Sequence, residues 1–200
     1  IWASYLGQPL EVSGTMVTPT VTPRVTPRIT STVIPTLNAL ALSHADSLYR
    51  AIDQHRAALQ VWLDWVPSTQ SLEDSRQFIR SAIALSAEKK GLFRSLMING
   101  EAAGVISIEG IDSELQSGEL GYWLSPSYWG HRVMQRAIKL LESEVKLAGC
   151  LARIDVRANI NNDRSIRVIR KSGYRLERRL RESEQLHGRL YDQFLFSKRL

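Results

Sequence analysis

One helix constrains this chain more than any other feature. Ala137, Ile138, Leu141, Val145 and Ala148 follow Met134 at +3, +4, +7, +11 and +14, a single apolar stripe on a helix running from about Arg132 to Ala148. A one-sided stripe of that length must be covered by another layer. The flanking segments offer one: Glu119–Leu124, closed by Ser125-Pro126, and Leu151–Ala158 both read as strands. Gly149 is the C-terminal stop of the helix.

The rest of the pattern fits around this unit. Leu92–Ile98 and Ala103–Glu109 flank Asn99-Gly100, a strong two-residue hairpin signal. Tyr174–Leu180 and Arg189–Ser197 add two strands, and Val33–Asn38 a short one interrupted by Pro35. Helices are expected over Ala45–Asp53 and over Arg56–Trp65, the latter ended by Pro67. Another runs from the capping box Ser71…Asp74 to about Lys89, and a short one, Ser165–Lys171, is ended by Gly173. Strands interleaved with helices, together with hairpins, define an α/β (α+β) domain. Its sheet is mixed, mostly antiparallel, of about six or seven strands with helices against it.

Composition narrows the class. Two hundred residues support one core; 44% hydrophobic and 23% charged residues exclude collagen and coiled coil. No run approaches the 20 or so apolar residues of a membrane span. Cys150 is the single cysteine, which excludes an internal disulfide framework and a Cys-rich zinc site, fits a reducing cytoplasm, and reads as a small buried hydrophobe. His44, His55, His131 and His187 show no ligand spacing, so no metal is expected. Val17–Arg28 repeats V-T-P-x three times, a pattern that cannot pack, so residues 1–32 read as a flexible arm and 33–200 as the domain. Residue 1 is Ile, which reads as a fragment or a processed form.

The net charge of +6 is concentrated: residues 151–200 carry 13 Lys or Arg against 6 Asp or Glu. A basic field favours a phosphate-bearing ligand or an acidic partner over a neutral one. No nucleic-acid motif accompanies it, which disfavours a nucleic-acid binder. Three segments then carry chemistry: Gly118–Leu124, Tyr128–Met134 and Asn162–Tyr174. A strand, a glycine-containing turn and a helix N-terminus form an anion site, because unpaired amides and the positive dipole end point outward.

Together these segments resemble the GNAT N-acetyltransferase superfamily and, within it, the RimJ/RimL type, from about Val33 to Leu200. The family's E-[IL]-G-Y-W-L strand appears as Glu119–Leu124, its glycine turn into the main helix as Gly130–Met134, and its N-x-x-S…G-[FY] as Asn162…Ser165 to Gly173-Tyr174. Arg181-Glu-Ser-Glu184, His187–Asp192 and Trp62-Leu-Asp-Trp65 are also similar to family patterns. The resemblance implies a fold with splayed central strands and acyl transfer from acetyl-CoA to an amine, most simply a protein N-terminal α-amine. It implies cofactor contacts from Tyr122, Trp123 and Leu124, from Gly130, His131, Arg132, Val133 and Met134, and from Asn162 and Ser165. It implies Ser165 as the group assisting the leaving thiolate and Glu184 as the base, with Glu119 a rival base on the site strand. The acceptor groove falls to the Arg56–Trp65 segment and to Glu184–Arg189, and pairing of two copies stays open.

Each residue has a plainer reading. Ser165 can be a helix N-cap, Glu184 an ion-pair partner of Arg179 or Arg181, Asn162 a turn residue, and Trp62, Trp65 and Trp123 core. Arg132 also stands where the family has a second glycine, and Gln135-Arg136 where it has Thr-Glu. Arg132 either swings out and adds a charge-assisted bond to phosphate or obstructs the turn. Two classes follow: an active acetyltransferase, or a degenerate relative that keeps the fold as a binding module.

Overall fold

The computed structural model describes residues 33–200; the arm expected over 1–32 lies outside the described residues. The strands are β1 Thr36–Ala39, β2 Gly91–Ile98, β3 Glu101–Asp112, β4 Ser117–Leu124, β5 Arg153–Asn159, β6 Arg175–Leu186 and β7 Arg189–Arg199. They form one sheet in the order β1-β2-β3-β4-β5-β7-β6. Every pair is antiparallel except β4 with β5. Helix α4, Val133–Ala148, connects those two strands, and a crossover is what a parallel pair requires. The other helices are α1 Ala45–Gln54, α2 Arg56–Leu59, α3 Leu72–Ala87 and α5 Asp163–Lys171.

The sheet separates two cores. On one face α4 and α5 bury Val133, Ala137, Ile138, Leu141, Val145 and Ile169 against Ile106, Ile108, Ile154, Val156 and Phe196. On the other, α1–α3 bury Leu48, Ile52, Leu59, Val66 and Ile79 against Phe93, Val105 and Trp123. Strand alternation makes the division. Along β4, Leu120 and Leu124 enter the first core while Trp123 enters the second.

Local chemistry explains the elements that form as expected. Asn99 and Gly100 take φ of 52° and 83°, the left-handed pair of a type I′ hairpin between β2 and β3. The Ser71–Asp74 capping box is complete, with Asp74 N–H donating to Ser71 Oγ and Ser71 N–H to Asp74 Oδ2 at 2.7 Å.

Four expectations need correction. The helix expected over Arg56–Trp65 ends at Leu59. Beyond it the chain turns tightly, Arg56 donates to Val66 O at 2.7 Å, and a single 3-10 turn follows at Val66–Ser68. The turn lets Leu59 and Trp65 be buried while Trp62 stays half-exposed, so Trp62 is not core. Ala148 ends the α4 stripe exposed, and Cys150, expected to be buried, is exposed as well. Left-handed Gly149 (φ 60°) turns the chain away from the core there.

Candidate active site

β4 and β5 pair at only three positions, Ser117, Gly118 and Glu119 with Arg153, Ile154 and Asp155. Beyond them β4 runs on to Leu124, and β5 to Asn159 paired only with β7. The two strands therefore part, leaving the β5-side edge of Leu120–Leu124 outside the sheet's ladder. Between them opens a cleft of about 510 Å³.

Its floor is the turn into α4. Gly130 takes φ +84°, and Arg132, at the helix N-cap, is itself left-handed at φ 58° with no side-chain cap. The first amides of a helix have no intrahelical partner, and Val133, Met134 and Gln135, which carry them here, line the cleft. Of the ten residues expected to touch the cofactor, nine line this cleft: Tyr122, Trp123, Leu124, Gly130, Arg132, Val133, Met134, Asn162 and Ser165. His131 does not.

α5 supplies the opposite wall. Asn162 is its N-cap and accepts from Ser165 N–H at 3.1 Å. Ser165 is thus not the cap; its hydroxyl is free for another partner and lies 2.8 Å from the Tyr122 hydroxyl. Burial pushes the Tyr122 phenol up to about 12, so it keeps its proton at neutral pH.

Beyond Arg132, the charge of the cleft was legible in the sequence only as a general basic bias. Arg132, Arg164, Arg167 and Lys171 line it, no Asp or Glu does, and none of the four forms an ion pair among the described residues. Arg164 is fixed: its guanidinium carbon sits 3.6 Å from the Trp129 ring centroid, and Trp129 Nε1–H donates to Leu124 O at 2.8 Å. A site with free amides and four unneutralised cations suits a ligand with several phosphate charges.

The two carboxylates expected as bases, Glu119 on β4 and Glu184 on β6, meet side chains on the far face of β5. Its alternation puts Asp155, Arg157 and Asn159 on one side, opposite the buried Ile154, Val156 and Ala158. Arg157 pairs with Glu119 at 3.2 Å, and Asn159 Nδ2–H donates to Glu184 at 2.6 Å. Burial raises the Glu119 carboxyl above its usual range against the opposing pull of Arg157. The expected pairing of Glu184 with Arg179 or Arg181 does not form. The β6–β7 register shifts between Leu180 and Glu184, and Arg179 instead takes Asp192 at 2.5 Å. The two segments expected to wall the acceptor groove do meet, His187 Nε2 lying 2.7 Å from Gln60 O. Among the described residues no cluster of His, Cys, Asp or Glu is arranged to hold a metal ion.

Parted parallel strands with a helix N-terminus at their mouth define the GNAT acetyltransferase fold. Residues 36–175 match the family model "Acetyltransferase (GNAT) domain", and the chain belongs to that family. It is an N-acetyltransferase of the RimJ/RimL type. It is 30% identical to the ribosomal-protein-serine acetyltransferase of Escherichia coli (strain K12), over 81% of this chain and 90% of that one. Its structure is similar to that of the microcin C7 self-immunity acetyltransferase MccE in complex with acetyl-CoA and AMP (TM-score 0.80, 28% identity, 83% and 92% of the two chains covered). It is also similar to RimL, the ribosomal L7/L12 α-N-protein acetyltransferase, in complex with coenzyme A (TM-score 0.79, 26% identity, 82% and 93% covered).

Proposed function

We propose that this acetyltransferase takes its acetyl group from acetyl-CoA and delivers it to a protein N-terminal α-amine of the ribosomal type. One observation carries the cofactor reading: among the described residues, the cleft between the parted strands joins a helix N-terminus to four cations outside any ion pair and is lined by no carboxylate. The acceptor reading draws support from the E. coli relative named for ribosomal-protein serine, at 30% identity. On this reading the reaction belongs to the cytoplasm, where ribosomal acceptors are made.

Bound acetyl-CoA supplies an activated acyl carbon on a good leaving group. The chain's residues do the rest. The α4 amides and Arg132 bind the pyrophosphate, and Arg164, Arg167 and Lys171 add charge along the α5 wall. The open backbone edge of Tyr122–Leu124 orients the pantetheine arm, and an N–H on that edge polarises the thioester carbonyl. Tyr122 and Ser165 hold a donatable proton for the departing sulfur, since the phenol stays protonated. On the other face Glu119 takes the proton of the attacking amine, and Glu184, held by Asn159, orients that amine.

A thermal-shift titration with CoA and with acetyl-CoA, at low and high salt, tests the first step. A saturable rise that shrinks with salt supports the reading. No rise at millimolar cofactor, from a folded sample, overturns it and leaves the binding-module alternative. Thiol release on a panel of peptides with different N-terminal residues then tests the acceptor, with ribosomal-type N-termini expected to exceed lysine side chains.

A further inference from the structure

β3 carries a carboxylate that neither the motifs nor the mechanism uses. Glu109 is 8% exposed and stands directly opposite Glu119 in the β3–β4 register. Cross-strand partners of an antiparallel pair project from the same face with Cβ atoms about 5 Å apart, and like charges placed so repel. Glu119 is itself largely covered, its side chain 17% exposed. Two ionised carboxylates there would face each other with little water between them.

The surrounding charges do not resolve this. Arg157 neutralises Glu119, and Arg153 takes Asp155, the next residue in the row across β5. On its own strand Glu109 accepts the Ser107 hydroxyl at 2.7 Å, and its β2 neighbour is Gly91. On the helical side Glu109 borders a cavity shared with α1 and α3, lined among the described residues by Leu48, Ile52, Phe78 and Phe93 and by no Lys, Arg or His. The acid on that wall, Asp74, is occupied by the amides of Gln70 and Ser71. Among the described residues, Arg157 and Arg153 are each paired with an acid other than Glu109, and Glu109 forms no ion pair.

Two further polar groups line the same cavity with no hydrogen-bond partner among the described residues, Ser75 Oγ and Trp123 Nε1, each on a residue 4% exposed. Both can donate toward the interior. Trp123 also lines the cofactor cleft, so this cavity and that cleft share a wall.

We propose that Glu109 and Glu119 form a proton-sharing pair in which Glu109 stays the neutral acid and positions Glu119 as the carboxylate that receives the acceptor's proton. The proposal rests on the reading of Glu119 as base given above. Its logic is that of any two carboxylates forced together, where only one ionises readily. Burial raises the Glu109 carboxyl in the same direction, against the Ser107 hydrogen bond. Glu109 touches neither substrate nor cofactor in this scheme; it is a positioning residue.

The test follows the side-chain carboxyl carbons of both residues by NMR from pH 4 to 9, in the whole chain and without cofactor. In the wild type Glu109 should titrate above the ordinary carboxylate range. Glu119→Gln removes the ionised neighbour and should lower the Glu109 step by at least about one pH unit, whereas Glu109→Gln removes the neutral acid's O–H and should raise the Glu119 step. The acidic limb of the pH–rate profile should move to higher pH with Glu109→Gln, the shift that a merely structural role would not produce. An unmoved Glu109 step in Glu119→Gln overturns the pairing, and that variant leaves Glu109 in place should Glu109→Gln fail to fold. Coupled titrations with an unmoved acidic limb overturn the positioning role. Failure of the cofactor reading shows separately, as an absent CoA shift, because the titrations need no cofactor.

Discussion

The two faces of the parted strands present opposite chemistry. Towards α4 and α5 the cleft is lined, among the described residues, by four cations and no acid. Through the sheet, Glu109, Glu119 and Asp155 make a row of three acids across β3, β4 and β5, with Arg157 and Arg153 taken as partners. One strand serves both faces because its side chains alternate: Tyr122 meets Ser165 on the first, and Glu119 meets Arg157 on the second. A transferase needs such a division. The face that holds a polyanionic donor must be positive, and the face that removes a proton needs a carboxylate kept apart from those cations.

The largest disturbance should come from the residue common to both faces. Trp123→Ala removes a side chain that is 4% exposed, meets Trp65 edge-on with centroids 5.9 Å apart, and lines both the cleft and the cavity. It should cost about 3–5 kcal/mol of stability, read from urea unfolding. A loss below about 1 kcal/mol would mean that the two faces do not depend on a shared wall.

A cut on the positive face alone should spare stability and reduce affinity. Arg164→Ala is expected to weaken CoA binding about tenfold, roughly 1.4 kcal/mol, by calorimetry at moderate salt. Arg153→Ala on the opposite face should leave CoA affinity unchanged. Equal losses from both would erase the distinction between the faces.

The acidic face should announce itself in the pH dependence of stability. Glu109 has a folded-state value raised above its unfolded one, chiefly by burial. Its contribution is therefore fully present below the ordinary carboxylate range and is lost as pH rises through the raised folded value. Thermal midpoints of the wild type should decline across that window, while those of Glu109→Gln decline less. Parallel curves for the two proteins would show that Glu109 is not a buried acid in solution.

Two small changes at the helix starts sharpen the picture. Asn162→Ala removes the α5 cap and should cost about 1 kcal/mol, whereas Ser165→Ala keeps the cap and loses only the Tyr122 contact. Arg132→Gly relieves a left-handed side chain and should stabilise by up to about 1 kcal/mol while weakening CoA binding severalfold. Tighter binding by Arg132→Gly would instead mean that the arginine obstructs the turn.

Local signals were readable because their physics is local. The Asn99-Gly100 turn, the Ser71–Asp74 box and the Gly149 stop of α4 each depend on residues a few positions apart, and each appears where the pattern puts it. The Arg56–Trp65 helix failed for the complementary reason. Its apolar spacing suited a helix, but Arg56 binds Val66 O and the aromatic residues divide between core and cleft. Ser165 and Asn162 were both legible as residues that matter, yet which of them caps α5 was settled only by the turn geometry.

By itself the sequence determined the element order, the mixed sheet, the glycine turn into α4 and the residues gathered around it, since periodicity, turn chemistry and motif spacing are properties of neighbouring residues. Only the tertiary structure decided which charges meet. The stack of Arg164 on Trp129, the hold of Arg157 on Glu119 and of Asn159 on Glu184, and the confrontation of Glu109 with Glu119 join residues 10 to 38 positions apart. Such pairs arise from strand register and from the parting of β4 and β5, which no local spacing encodes.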